Sequence, residues 1–280
     1  MVGIEGTQGS VTPSTNRASV TKENELCTLP TDYGLKIAMG SIVGTSFIHK
    51  FGEAPDFDIE DGFVSIWDGA NDAGLNANIY TYSTIADIDS IVSSNTGDTQ
   101  VIEVQGLDGN LLQVIQEATL AGSGYVTLGS PLKRVFRIKN QGATDFIGDV
   151  CVYVSGPTSA GIPDDASGIR ACVNNGNNQT LMAVYTIPAG KTGYMDNWYA
   201  TTAGARKTSV HNIHLLARPS GGVFQLKSSV SIIADGASYI QHQYKIPEKF
   251  KGGTDIEMQA NTDEDVAAVS AGFDIILVDD

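Results

Sequence analysis

Apolar and polar side chains alternate with a period of two along most of the chain beyond residue 42. Phe136 and Ile138 share one parity in the middle of the chain, and Phe273, Ile275 and Leu277 share one near the C-terminus. Successive side chains of a strand point to opposite faces, so each run predicts a strand with one buried face. Gly, Asn, Asp and Pro separate these runs at short, regular intervals, as in sandwiches and barrels. The sequence therefore predicts an all-β fold, an antiparallel β-sandwich or jelly-roll-like arrangement.

One hairpin and one ambiguous segment stand out within this pattern. Residues 101–104 and 111–115 flank the turn dipeptide Asp108-Gly109, which predicts a β-hairpin. Helix signals are weak elsewhere, and residues 84–92 are the stretch in which a helix of one or two turns is expected.

The segment around residue 257 shows how polar residues are expected to lie. Ile256 and Met258 alternate with Asp255 and Glu257. In a half-buried antiparallel strand, apolar residues face the core and polar residues face water. The sequence therefore predicts that Asp255 and Glu257 are solvent-exposed.

Turn signals also suggest a domain division. Residues 1–40 are rich in Gly, Thr, Ser and Asn without sustained periodicity, and they predict an extended N-terminal arm. Gly and Pro cluster between residues 155 and 167, which places a first β-domain at 41–156 and a second at 167–280. One continuous sandwich is the alternative.

Composition limits the partners. The chain has 280 residues with 32 acidic and 17 basic side chains, a formal net charge of −15. Because an acidic surface repels phosphate backbones, we expect no nucleic-acid partner, and residues 133–139 are too small a basic stretch to change this. No apolar run approaches the roughly 18 residues that span a bilayer, so no membrane partner is expected. The N-terminus lacks a basic and apolar leader, so we expect synthesis and assembly in a cytoplasm.

The residues that carry chemistry give no convincing catalytic or ligand-binding pattern. Cys27, Cys151 and Cys172 have neither the number nor the spacing of a disulfide framework or zinc site. His211 and His214 are three apart in a strand-like run, so they should face opposite sides and share no metal. We therefore expect no catalytic residues, no cofactor, no metal and no enzymatic activity.

Two partial motifs fail on inspection. Gly190-Lys191-Thr192 contains the end of a phosphate-binding loop, but the glycine that the motif needs five positions earlier is Tyr185, and a turn explains the segment better. Residues 56–62 have the acidic spacing of a calcium loop without its central Gly.

Three aromatic residues are the candidates for a contact surface. Tyr194, Trp198 and Tyr199 could present rings to a glycan or another partner. Tyr194 and Trp198 share strand parity, so packing in a core or an interface is the stronger interpretation.

Several segments resemble virion structural proteins of tailed bacteriophages. They are NQTLMAVYTIPAGKTGY (178–194), ARPSGGVFQLK (217–227), IPEK (246–249) and SAGFDIILVD (270–279), with fainter likeness at 49–56, 66–69 and 104–110. The resemblance covers about residues 47–279. It implies a virion component, most concretely a capsid decoration or cement protein bound as a homotrimer to the major capsid protein. A tail, neck or fibre component, a host-glycan-binding module and, least favoured, a depolymerase are the alternatives.

Overall fold

A computed structural model describes residues 33–69, 78–204, 209–234 and 237–280, together with two short strands nearer the N-terminus. The chain forms two compact units, Met1–Ile42 and Val43–Asp280. The described parts of the first unit are β1 (Ser19–Val20), β2 (Leu26–Cys27) and the helix α1 (Tyr33–Ala38), with β1 and β2 paired antiparallel. Most of the predicted arm, 1–40, lies outside the described residues, and its end contains α1.

The second unit is built of strands with two 3₁₀ helices, Ile59–Asp61 and Ala166–Gly168. In chain order its strands are β3 (Thr45–Phe57), β4 (Val64–Ser65), β5 (Ile88–Ser93), β6 (Val101–Leu107), β7 (Gln113–Thr119), β8 (Val126–Leu132), β9 (Arg134–Asn140), β10 (Val150–Val154), β11 (Thr158–Ser159), β12 (Ile162–Pro163), β13 (Ile169–Val173), β14 (Val184–Thr186), β15 (Lys191–Gly204), β16 (Ser209–Arg218), β17 (Gln225–Ala234), β18 (Ala237–Phe250), β19 (Asp255–Thr262) and β20 (Ala267–Asp279).

These strands form four main antiparallel sheets and the small hairpin β11–β12. Sheet A has the order β18-β15-β20-β3, and sheet B has the order β14-β19-β16-β17 with β4 added beside β19. Sheet C has the order β13-β10-β5-β8, and sheet D the order β7-β6-β9. Strands of A approach those of B, and strands of C approach those of D, so each pair shares buried side chains. The predicted all-β, antiparallel sandwich class is confirmed.

Strand pairing crosses the predicted boundary between residues 156 and 167. β3 pairs with β20, and β10 pairs with β13. The Gly and Pro residues that suggested a linker instead flank the hairpin β11–β12. Local turn signals mark a tight reversal of the chain as readily as a domain boundary, because both need the same residue types.

The alternation that predicted the strands is present in the structure. In β16 buried and half-buried residues alternate along the whole strand, and in β20 Phe273, Ile275 and Leu277 are buried while Asp274 is half-buried. The predicted hairpin is β6–β7, whose turn is held by the Asp108 carboxylate accepting from the backbone of Asn110 and Leu112.

The expected helix at residues 84–92 is not formed. Its second half is β5, which lies between β10 and β8 in sheet C. Ile88, Ile91 and Val92 are fully buried there. β-Branched side chains pack well on a pleated surface, so tertiary packing overrides the weak helical pattern.

The cysteines differ from the expectation. Cys151 and Cys172 form a disulfide between directly opposed positions of β10 and β13. Their separation of 21 residues is unremarkable in sequence. Only the strand register brings the two side chains together, which is why spacing did not indicate the bond.

Candidate functional site

The most concentrated group of buried charges lies where β19 of sheet B faces β9 of sheet D. The Asp255 carboxylate is contacted by Arg134, Arg218 and Thr186, and we call these four residues the Asp255 cluster. Arg134 donates from Nε to Oδ1 at 2.9 Å and from Nη2 to Oδ2 at 3.1 Å. This fork-to-carboxylate geometry uses the planar guanidinium in its strongest arrangement.

The other two members complete the bonding of the same carboxylate. Arg218 donates to Oδ2 from Nη2 at 2.6 Å and from Nε at 3.1 Å, and the Thr186 hydroxyl donates to Oδ1 at 2.6 Å. Asp255 therefore accepts five hydrogen bonds, which uses the roughly four lone-pair directions that a carboxylate offers. A carboxylate in this state has no free position from which to take a proton from a substrate.

Aromatic rings cover the two guanidinium groups. The Cζ atom of Arg134 lies 5.1 Å from the centroid of Tyr82, and that of Arg218 lies 4.6 Å from Tyr82 and 4.6 Å from Phe224. Cations at these distances are attracted by the negative face of an aromatic ring.

Glu257, two residues further along β19, is the second buried carboxyl. It is 1% exposed and accepts from the Ser65 hydroxyl at 3.2 Å and from the Gln259 amide. Burial raises the pKa of Glu257 above its ordinary value, while hydrogen bonds from Gln259 and Ser65 and the charge of Arg218 act in the opposite direction. The protonated acid is thus favoured at higher pH than in water.

The prediction that Asp255 and Glu257 face solvent is wrong. Both faces of β19 are buried at its N-terminal end, with Ile256 and Met258 on one face and the two acids on the other. On the acid face, Asp255 is matched by Arg134 of sheet D. One sequence signal was present: Arg134 has the same strand parity as the buried Phe136 and Ile138.

The Asp255 cluster adjoins a surface cleft of about 370 Å³. Its wall includes Lys133, Arg134, Arg218 and the segment 220–222. The two arginines already bind Asp255, so the cleft offers a ligand little uncompensated charge. The arrangement is suited to hold sheets B and D together.

The three predicted aromatic residues do not form one platform. A β-bulge in β15 between Met195 and Asn197 reverses the parity, so Tyr194 and Trp198 point to opposite faces. Trp198 is 1% exposed and belongs to the core. Tyr194 is half-buried near the Lys249 ammonium, and Tyr199 is half-buried with its ring 6.2 Å from that of His49.

The two histidines of β16 lie on opposite faces, as predicted. His211 is fully buried, with Nε2 3.5 Å from a carboxylate oxygen of Glu264, and burial lowers its pKa. His214 is half-buried and stacks on Phe63 at 4.2 Å. Among the described residues there is no group of three or more His, Cys, Asp or Glu side chains that could hold a metal ion.

The two partial motifs have structural roles. Gly190 has φ +75° in the turn before β15, a conformation that glycine adopts without strain. Asp58, in the segment that suggested a calcium loop, caps the 3₁₀ helix Ile59–Asp61 by accepting from the backbone of Glu60 and Asp61. In the described part of the chain, no helix is long and apolar enough to cross a membrane.

Comparison with known proteins gives little. No family model and no curated protein matches the chain. Among solved structures, chains from infectious bursal disease virus, strains Gx and Gt, align with 84% and 89% of this chain and 71% and 78% of their own length, at 9% and 10% identity and a TM-score of 0.23 each. The crystal structure of the VP2 subviral particle of the same virus aligns with 89% of this chain and 78% of its own, at 8% identity and a TM-score of 0.20. At TM-scores this low, the matches carry no argument about this chain.

Proposed function

We propose that the protein is a structural component of a virus particle, most specifically a decoration or cement protein of a tailed-bacteriophage head. It would bind the major capsid protein as a homotrimer, assemble in the host cytoplasm and catalyse no reaction. The segments of the sequence that resemble virion structural proteins supply the class, and the antiparallel β-architecture is compatible with it.

The Asp255 cluster is the observation that carries the proposal. The Asp255 carboxylate accepts bonds from Thr186 and Arg218 within sheet B and from Arg134 of sheet D, so it is held in place and is not free for acid–base chemistry. Such an arrangement fixes the relative position of two sheets, which favours a load-bearing role over a catalytic one.

Exposed strands at the margins of the sheets offer surface for assembly. β17 and β18 each pair on one side with a strand of their own sheet, and Leu226, Ile233, Tyr239 and Ile246 on them are more than half exposed. An edge strand presents unpaired backbone groups and here also apolar side chains, so a neighbouring subunit can cover it.

Quantitative mass spectrometry of purified particles tests the proposal. A cement protein is expected at a copy number comparable to that of the major capsid protein, and immunogold labelling should mark the head. A copy number of only a few, with label on the tail or neck, would assign the protein there instead. Absence from purified particles would refute a virion role altogether.

A further inference from the structure

A second cavity, distinct from the Asp255 cluster, opens at the free edge of sheet A. It has a volume of about 290 Å³ and lies between β3 on one side and β9 and β14 on the other. The polar side chains in its wall are those of His49, Lys50, Gln105, Arg137, Gln179 and Tyr185. Phe136, which is 4% exposed, contributes an apolar part of the wall.

Two cations line this cavity without a carboxylate partner. Lys50 is 2% exposed, and its ammonium donates to the carbonyl oxygen of Phe136. Arg137 donates from Nη2 to the carbonyl oxygen of His49 at 2.9 Å. Neither side chain forms an ion pair with any described residue. Buried charges are normally paired, so this arrangement in a chain of net charge −15 is unusual.

Burial disfavours the charged forms of both Lys50 and Arg137. Burial lowers the pKa of Lys50 well below its ordinary value, and the nearby positive charge of Arg137 lowers it further, while the Asp68 carboxylate acts in the opposite direction. Burial likewise lowers the pKa of Arg137. A negative group placed between them would relieve this repulsion and favour the charged form of Lys50.

A third polar group in the wall also lacks a partner. Tyr185 is 1% exposed, and its hydroxyl forms no hydrogen bond in the structure. A buried hydroxyl without a partner costs about 1–3 kcal/mol. Tyr185 and Arg137 both line this cavity.

We propose that this cavity binds an acidic sugar of the hexuronate class, with its carboxylate held by Lys50 and Arg137. The Tyr185 hydroxyl and the amide of Gln179 would bind sugar hydroxyls, and Phe136 would contact the apolar side of the ring. The cavity is several times larger than a lone carboxylate, and its polar wall suits a hydroxylated ligand. This binding activity goes beyond the proposed virion role and uses none of the three aromatic residues predicted from sequence.

Isothermal titration calorimetry of the full chain with sodium glucuronate tests the inference. We expect a Kd on the order of 1 mM. Glucose is the neutral analogue and inorganic phosphate the anion without a sugar, and both should bind at least about tenfold more weakly, since each lacks one half of the recognition.

Single substitutions test the contribution of each side chain to glucuronate binding. Lys50→Met should weaken glucuronate binding roughly tenfold or more, and Tyr185→Phe, which removes one oxygen, about 2- to 10-fold. Tyr153→Phe and Lys133→Met are matched controls, because these residues line other cavities. If Lys50→Met does not fold, Tyr185→Phe still tests the inference.

Three outcomes would overturn the inference. They are no detectable binding of glucuronate, equal binding of phosphate or glucose, and equal affinity in Tyr185→Phe and wild type. None of these outcomes depends on where the protein lies in a virion. The proposed function is tested separately, by the copy number in purified particles.

Discussion

Removing the charge of Asp255 should destabilise the second unit more than any comparable change at its surface. Asp255→Asn keeps the shape of the side chain and one acceptor oxygen, but it leaves Arg134 and Arg218 without their counter-ion. Removing one partner of a buried pair leaves an uncompensated charge in a low-dielectric site, which is the costly state.

The structure sets the size of the effect. The side chains of Arg134 and Asp255 are 10% and 5% exposed, so their interaction is that of a buried pair, for which loss of one partner costs about 3–5 kcal/mol. Arg218 is 27% exposed, and solvent screens its share. We therefore expect Asp255→Asn to lower the free energy of unfolding by about 4 kcal/mol, or to lower Tm by about 8–16 °C in a chain of this size.

Urea unfolding followed by tryptophan fluorescence and far-UV circular dichroism measures the change. The midpoint should fall while the m-value stays constant, because the same surface is exposed on unfolding. Asp279→Asn is the matched control: Asp279 pairs with Lys191 at the surface and is 57% exposed, so less than about 1 kcal/mol is expected. Equal losses in the two variants would refute the structural role assigned to the Asp255 cluster.

Three further predictions concern the frame around the cavities. Replacing Cys151 and Cys172 together by Ser should lower the free energy of unfolding by about 3 kcal/mol, because the disulfide closes a loop of 21 residues. Alkylation without reductant, followed by intact-mass measurement, should modify one of the three cysteines, and modification of all three would contradict the disulfide. Because the folded-state pKa of Glu257 is raised, the stability that its protonated form contributes is complete below the unfolded pKa of about 4.3 and is lost as pH rises through the folded value. Urea unfolding at a series of pH values should show this loss in wild type and not in Glu257→Gln. Parallel pH profiles of the two proteins would exclude the contribution. At Gly52 an added Cβ would lie 2.3 Å from the carbonyl oxygen of Ile66, so Gly52→Ala should lower the free energy of unfolding by about 3 kcal/mol. Gly129→Ala is the control and should lower it far less, because a Cβ there would lie 3.5 Å from the Gln116 side chain. Equal Tm values for the two variants would argue against close packing at Gly52.

The strands could be predicted from the sequence because their signal is local. Alternation along β16 and β20 is a property of each segment, and the turn at Asp108 is encoded in two adjacent residues. The pairing of β3 with β20 joins segments more than two hundred residues apart, and no local pattern specifies it. The bulge in β15 had the same effect on a smaller scale, since one extra residue moved Trp198 to the other face from Tyr194.

The sequence did not predict the burial of Asp255 and Glu257, because the expectation that polar residues face water assumes a strand with one solvated face. β19 has neighbours on both faces at its N-terminal end, so Asp255 and Glu257 are enclosed together with Ile256 and Met258. Glu257 is buried with its pKa raised and with hydrogen bonds from Ser65 and Gln259, whereas the burial of Asp255 depends on a cation that another sheet supplies. That condition links β19 to Arg134 on β9, and it depends on tertiary structure alone.

The sequence does show where a basic residue has the same strand parity as buried residues. Two such residues occur here, and the fold uses them differently. Arg134 is in phase with Phe136, and Lys50 is in phase with Gly52 and Ala54, which are buried. Arg134 meets a carboxylate that its fork can satisfy, so its charge is neutralised within the fold. Lys50 donates to a carbonyl oxygen beside a cavity, near a second cation, and forms no ion pair with a described residue. The same sequence signal thus marks a structural contact where the fold supplies the counter-ion and a binding cavity where a ligand has to supply it.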